Sequence, residues 1–234
     1  MLNDIYTIVL NLPYRKDRLE SITKEYIKLG FKNSFVLFKS LSVKDITITS
    51  LVKEKLKEEI SIVNRFTENC LAYNQTMYNM FDFLIDSNID KVLVLEDDSI
   101  LDKDINKKLE KVLESVPSDW DIIQLSSYHY DTPEKINDDI YKVKGTWTVT
   151  ATLYKNTSFK KCRELCNEFR PFDLSLGMID FVKHGLNIYS PRFNLAVESL
   201  SLSDIGENKS QTIPLDILTH SKVVPIEIYK ELYK

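Results

Sequence analysis

The apolar positions of this chain recur at two spacings, about two and about three and a half residues, and the two take turns along its length. Ile5 to Leu10 is a β-rich apolar run that predicts a buried first strand, ended by Asn11-Leu12-Pro13. Leu19, Ile22, Tyr26 and Leu29 follow at helical spacing, and Gly30 supplies the stop. Phe35 to Phe38 reads as a second strand, residues 51–60 as a charged amphipathic helix, and residues 68–86 as a longer one. That longer helix presents Leu71, Met77, Tyr78, Phe81, Leu84 and Ile85 as its apolar positions. Val92 to Leu95 is a short, fully apolar strand that runs straight into Glu96-Asp97-Asp98. Beyond it the pattern predicts a helix over about 104–115 and strands at Trp120–Leu125 and Val149–Tyr154. A helix near 157–169, a helical Ile179–His184 and a strand at Leu186–Tyr189 complete it, and the tail from about 206 is irregular.

Strands alternating with helices in this order predict an α/β fold, a mostly parallel central sheet with helices on both faces. In such sheets ligands bind beyond the carboxyl ends of the strands, so Asn11 and Glu96, where the first and central strands end, face the expected site. No repeat or linker divides the chain, and the five Gly and seven Pro build none, so residues 1–234 are read as a single domain. The formal charge of −4 argues against general nucleic-acid binding, which needs clustered Lys and Arg. With no signal peptide and no apolar run long enough to span a bilayer, a cytoplasmic protein without a membrane span is expected. Cys70, Cys162 and Cys166 lack the partners of a zinc site and are read as reduced, partly buried thiols.

Three consecutive carboxylates at a strand end repel one another unless they are solvated or a cation neutralises them. Mg²⁺ and Mn²⁺ favour oxygen ligands, need only one or two protein carboxylates, and bring substrate phosphates with them. A solvated acidic turn is the plainer reading of Glu96-Asp97-Asp98; its place directly after an apolar strand favours the metal. If the segment stays extended, Glu96 and Asp98 share one side and Asp97 points the other way. The chain has no Gly-x-x-x-x-Gly-Lys and no Gly-x-Gly-x-x-Gly, so P-loop and dinucleotide sites are excluded.

Four ordered landmarks resemble glycosyltransferase family 25, whose members include lipooligosaccharide and procollagen galactosyltransferases. Ile8-Val9-Leu10-Asn11-Leu12 with Arg15-Lys16-Asp17-Arg18 is similar to the family's opening strand and donor segment. Val94-Leu95-Glu96-Asp97-Asp98 is similar to its metal motif. Trp120-Asp121 with Gly145-Thr146 and Ala151-Thr152-Leu153-Tyr154 forms the third landmark. Pro171-Phe172-Asp173, Gly185-Leu186-Asn187-Ile188-Tyr189 and Ser203-Asp204-Ile205 form the fourth. One segment departs from the family: where it has Gly-Cys-x-x-Ser-His, this chain has Asn69-Cys70-Leu71-Ala72-Tyr73-Asn74.

The resemblance implies a single GT-A-type, Rossmann-like domain catalysing metal-dependent, inverting transfer of galactose or glucose. The donor would be a UDP-sugar and the acceptor a hydroxyl of a glycan or a hydroxylysine-type side chain. It implies donor contacts from Asn11, Leu12, Arg15, Arg18, Glu96, Asp97, Gly145 and Thr146. Asp98 is the first metal ligand, with Asp97, Glu96 and His220 as further candidates for Mn²⁺ or Mg²⁺. Asp173 is the candidate base, with a helix N-cap as the structural alternative, and Asp180 is its rival. Trp147 suits either sugar stacking or a core strand. The departure at Tyr73-Asn74 leaves a second function open, a catalytically inactive nucleotide- or sugar-binding module of the same fold. A phosphate-handling hydrolase ranks last, for want of a nucleophile.

Overall fold

The computed structural model describes residues 5–31, 33–47, 68–129, 132–147, 149–167, 172 and 185–199. The first strand, β1 (Tyr6–Asn11), leads into α1 (Lys16–Lys28), and β2 (Val36–Lys39) returns beside it. The long helix α2 (Glu68–Ile85) precedes β3 (Lys91–Glu96), a short β4 (Ser99–Leu101) and α3 (Ile105–Ser115). Next come β5 (Ile122–Gln124), β6 (Tyr128–His129), β7 (Glu134–Lys135), β8 (Ile140–Lys142) and β9 (Thr146–Trp147). The strand β10 (Ala151–Lys155), helix α4 (Asn156–Leu165) and strands β11 (Ile188–Pro191) and β12 (Ala196–Glu198) complete the described elements. Every strand and helix expected within the described residues is present, with ends shifted by a few residues. The expected helices at 51–60 and 179–184 and the tail from about 206 lie outside the described residues.

The central sheet has eight strands in the order β2-β1-β3-β10-β5-β11-β8-β7. β1 pairs parallel with β2 and β3, and β5 with β11, whereas β10 and β8 run against their neighbours. Six of the eight strands therefore point the same way, as the alternating pattern predicts. Two short ribbons, β4 with β12 and β6 with β9, stand apart from this sheet.

Helices cover both faces, which is why the central strands are apolar at every position rather than at every second one. On one face Val9, Leu93, Leu95, Ile123 and Leu153 pack against Ile22 and Tyr26 of α1 and Ile105, Leu109 and Val112 of α3. On the other, Ile8, Val92, Val94, Ile122 and Tyr154 pack against Met77, Met80, Phe81 and Leu84 of α2 and Phe159 and Cys162 of α4. Phe81 anchors this second layer, its ring edge-on to Tyr154 at 5.2 Å and tilted against Phe159 and Phe172. Full burial of a side chain of this size contributes roughly 1.5–3 kcal/mol. α1 ends as its sequence predicts: Gly30 takes φ 73°, a left-handed turn that costs a side-chain-bearing residue more. All three cysteines are free and buried, and burial pushes the Cys162 and Cys166 thiols far above the usual range. No described helix is long and apolar enough to cross a membrane.

Candidate active site

The two faces of the sheet decide which side each functional group takes. Side chains alternate along a strand. Asn11 of β1 continues the row of Thr7 and Val9 and emerges on the α1 face, whereas Glu96 of β3 continues the row of Val92 and Val94 and emerges on the α2 face. β3 stops at Glu96, and Asp97-Asp98 form a turn before β4.

That turn overrides the period of two. Arg18 of α1 places Nη1 3.1 Å from Asp97 Oδ1 and 2.9 Å from Asp98 Oδ2, so the two aspartates share one side. Asn11 Nδ2 donates to Asp97 Oδ2 at 2.6 Å and to the Arg15 carbonyl at 3.1 Å, tying the acidic turn to the loop after β1. The pairing expected from an extended chain, Glu96 with Asp98, is thus incorrect, because the strand ends at Glu96 and both aspartates lie in the turn beyond it. Glu96 instead accepts the Tyr73 hydroxyl at 2.6 Å from α2. Its backbone N–H donates to the Thr150 carbonyl, and Ser199 N–H donates to the Asp98 carbonyl, so chain on both sides of the turn fixes it.

Charge makes this site costly when empty. Burial pushes Asp98 up to about 6; the neighbouring Asp97 charge adds to the rise, and Arg18 opposes it. Burial also raises Asp97, against the pull of Asn11 and Arg18. Two carboxylates facing one guanidinium leave a local net charge of −1. Asp98 Oδ1 is buried and has no hydrogen-bond partner among the described residues. An oxygen-only donor set with one open buried acceptor fits Mg²⁺ or Mn²⁺, which keep waters and need one or two carboxylates. Among the described residues, Asp97 and Asp98 are the pair that would hold such an ion. Glu96 is not grouped with them, and no cluster of three His, Cys, Asp or Glu poised for a metal occurs among the described residues. Asp173, Asp180 and His220 lie outside the described residues.

The other expected donor residues fall at the same end of the sheet. Arg15 clamps Asp17 with Nε and Nη2, at 3.1 and 3.0 Å, which holds Asp17 down to about 2. Leu12 accepts the Arg15 backbone N–H, closing the turn after β1. A groove of about 580 Å³ opens beside Asn11, between Lys16 and Leu19 of α1 and Leu37 and Lys39 of the edge strand β2. Thr146 is buried in β9, paired with His129 of β6, and Thr150, just before β10, accepts the Glu96 N–H. Gly145 precedes it, so the Gly-Thr pair stands on the rim of the carboxyl end.

Tyr73 and Asn74, the residues of the departure from the family pattern, both carry hydrogen bonds in the structure. Tyr73 holds Glu96, and Asn74, 2% exposed, accepts the Phe172 backbone N–H at 3.0 Å through Oδ1. The signal was their spacing: Tyr73, Met77, Phe81 and Leu84 lie on one helical face, the face turned to the sheet.

In an open α/β sheet ligands bind beyond the carboxyl ends of the strands, and there this chain gathers two carboxylates, an arginine and an asparagine. Residues 4–172 match glycosyltransferase family 25 (LPS biosynthesis protein), well over half of the chain, and the protein belongs to this family. No curated protein matched the sequence. Among solved structures, Drosophila β-1,4-galactosyltransferase 7, a mutant in complex with manganese, UDP-Gal and xylobiose, is similar at 14% identity and TM-score 0.42. The match covers 80% of this chain and 65% of that one, so this chain spans just under two thirds of the Drosophila enzyme's length. Mouse xyloside xylosyltransferase 1 is similar at 10% identity and TM-score 0.41, over 79% of this chain and 71% of that one. A cytidylyltransferase from Leptospira borgpetersenii is similar at 10% identity and TM-score 0.44, over 97% and 95%. All three are distant likenesses.

Proposed function

We propose that this glycosyltransferase is metal-dependent and inverting, and moves galactose or glucose from a UDP-sugar to a hydroxyl of a glycan or hydroxylysine-type acceptor. The observation that carries the reading is the Asn11–Asp97–Asp98–Arg18 group, a site with excess negative charge and an open carboxylate oxygen at the end of β1 and β3. The groove beside Asn11 lies within the volume range of small-ligand sites and suits the nucleoside, with Lys16 and Lys39 on its rim.

Asp97 and Asp98 would hold Mn²⁺ or Mg²⁺, which would supply neutralisation of charge on the departing diphosphate. The residues of the chain do the rest. Asn11 fixes Asp97 so that its carboxylate does not turn away. Glu96, on the other face and held by Tyr73, is placed to bind hydroxyls of the transferred sugar rather than the metal. Asp173, with Asp180 as its rival, takes the acceptor proton as the acceptor oxygen bonds to the anomeric carbon and the bond to UDP breaks.

Calorimetric titration of UDP, with and without Mn²⁺, on wild type and Asp98→Ala tests the reading. UDP binding that requires Mn²⁺ and is lost in the variant supports it. No UDP binding under either condition overturns the donor assignment.

A further inference from the structure

The position a metal would take between Asp97 and Asp98 is not merely acidic; it already holds a cation belonging to the chain. A single nitrogen of Arg18, Nη1, lies within 3.1 Å of Asp97 Oδ1 and 2.9 Å of Asp98 Oδ2. All three side chains are mostly covered: Arg18 is 10% exposed, Asp97 9% and Asp98 12%. Asn11 holds Asp97 from the other side through Oδ2. Each aspartate therefore gives one oxygen to Arg18, and Asp98 Oδ1 is left without a partner among the described residues.

We propose that Arg18 is a resident counter-ion that competes with the metal, so that metal entry must take carboxylate oxygen from its guanidinium. This rests on the reading that Asp97 and Asp98 are the metal-binding pair. A nitrogen cation in contact with both carboxylates neutralises half of their charge and occupies the direction in which they converge. A divalent ion adds more charge than the arginine supplies, yet it must either share the space or push Nη1 aside. The consequence has an unusual sign. Loss of a positively charged residue beside a donor site ordinarily weakens binding of the anionic donor; here it also tightens binding of the metal. Arg18 is thus a positioning residue with two effects. It keeps the aspartates paired before the metal arrives, and it raises the metal concentration needed to displace it. Such a device makes metal alone a weak ligand. Metal arriving with a diphosphate is a stronger one, because the diphosphate offers the displaced guanidinium a new anionic partner.

The test is Mn²⁺ binding to the whole chain without nucleotide, read by the loss of the free-Mn²⁺ paramagnetic resonance signal. Wild type, Arg18→Gln, Arg18→Lys and Asp98→Asn are compared, each first shown to be folded by circular dichroism. The expected result is that Arg18→Gln binds Mn²⁺ about tenfold more tightly than wild type, since the carboxylates are no longer neutralised. Arg18→Lys, which keeps the charge, stays near wild type, and this arm decides the question if the glutamine variant does not fold: looser or tighter binding by tenfold there refutes a charge-based competition. If Arg18→Gln binds Mn²⁺ equally or more weakly while Asp98→Asn loses it, Arg18 is not a competitor, although the metal reading stands. If no protein binds Mn²⁺ with or without added UDP, the metal reading itself fails and the proposal with it.

Discussion

Replacement of Asp98 by Asn should leave the metal-free protein as stable as wild type or more so, while removing its response to metal. The reasoning starts from the charge count. Arg18 faces two carboxylates, and Asp97 remains within 3.1 Å of it when Asp98 is neutralised. The substitution therefore converts a buried group of net charge −1 into a balanced pair and strands no charge. Burial lifts Asp98 from 3.8 to about 6 even with Arg18 beside it. Since one pKa unit is worth about 1.4 kcal/mol, the ionised side chain at pH 7 costs the folded state on the order of 3 kcal/mol. Asn keeps a polar group in the same buried place and so recovers only part of this, about 1 kcal/mol. The pH dependence carries the same sign. A folded pKa above the unfolded one means that the folded wild type takes up a proton first, so the contribution of Asp98 to stability improves as pH falls from 7 through 6 towards 4. In Asp98→Asn that contribution is absent. Thermal melts at pH 7 and 5, with and without Mn²⁺, read all three effects. Mn²⁺ should raise the melting temperature of wild type and not of the variant. A variant less stable than metal-free wild type by 2 kcal/mol or more would refute the reasoning, because the ion pair with Arg18 would then outweigh the burial it requires.

His129 offers a second, independent pH effect. It is buried beside Ser190, whose Oγ lies 3.2 Å from Nε2, and burial pushes its pKa down from 6.5 to about 4. The unfolded chain takes up this proton first, so the stability due to neutral His129 is complete above pH 6.5 and lost as pH falls towards 4. The full loss is about 3 kcal/mol, and His129→Gln should flatten that part of the stability profile; parallel profiles for the two proteins would contradict it. Tyr73→Phe removes the 2.6 Å hydrogen bond to Glu96. Turnover should fall by about tenfold, the equivalent of one charge-assisted hydrogen bond, with Mn²⁺ affinity unchanged. Equal losses in both measurements would return Glu96 to the metal.

The elements were legible because their signals are local. β1 and β3 are short apolar runs with polar ends, and α1 closes on a glycine whose left-handed φ only its own sequence position could have announced. The antiparallel entry of β10 between β3 and β5 was not legible, because strand direction depends on how the chain between strands travels, and no residue of Ala151–Lys155 encodes it. The acidic run was legible as residues at a strand end, and the directions of its side chains were not. Alternation puts Glu96 beside Asp98 only while the chain stays extended, and β3 stops pairing at Glu96. Tyr73 was seen only as a mismatch, since a tyrosine on the buried face of a helix shows its partner only when the sheet lies beneath it.

That misreading has a physical lesson about how the site is built. Because β3 ends at Glu96, one tripeptide serves both faces of the sheet: the last strand residue turns to α2, and the two turn residues turn to α1. The separation matters because three carboxylates on one side would raise one another's pKa and demand still more neutralisation. Dividing them leaves two aspartates with Arg18 and gives Glu96 its own partner in Tyr73. The division also separates tasks: charge neutralisation on the α1 face, beside the groove at Asn11, and hydrogen bonding on the α2 face, where Tyr73 holds Glu96. A substitution on one face should therefore leave the other nearly undisturbed, and the effects of Asp98→Asn and of Tyr73→Phe on unfolding free energy without metal should add in the double variant.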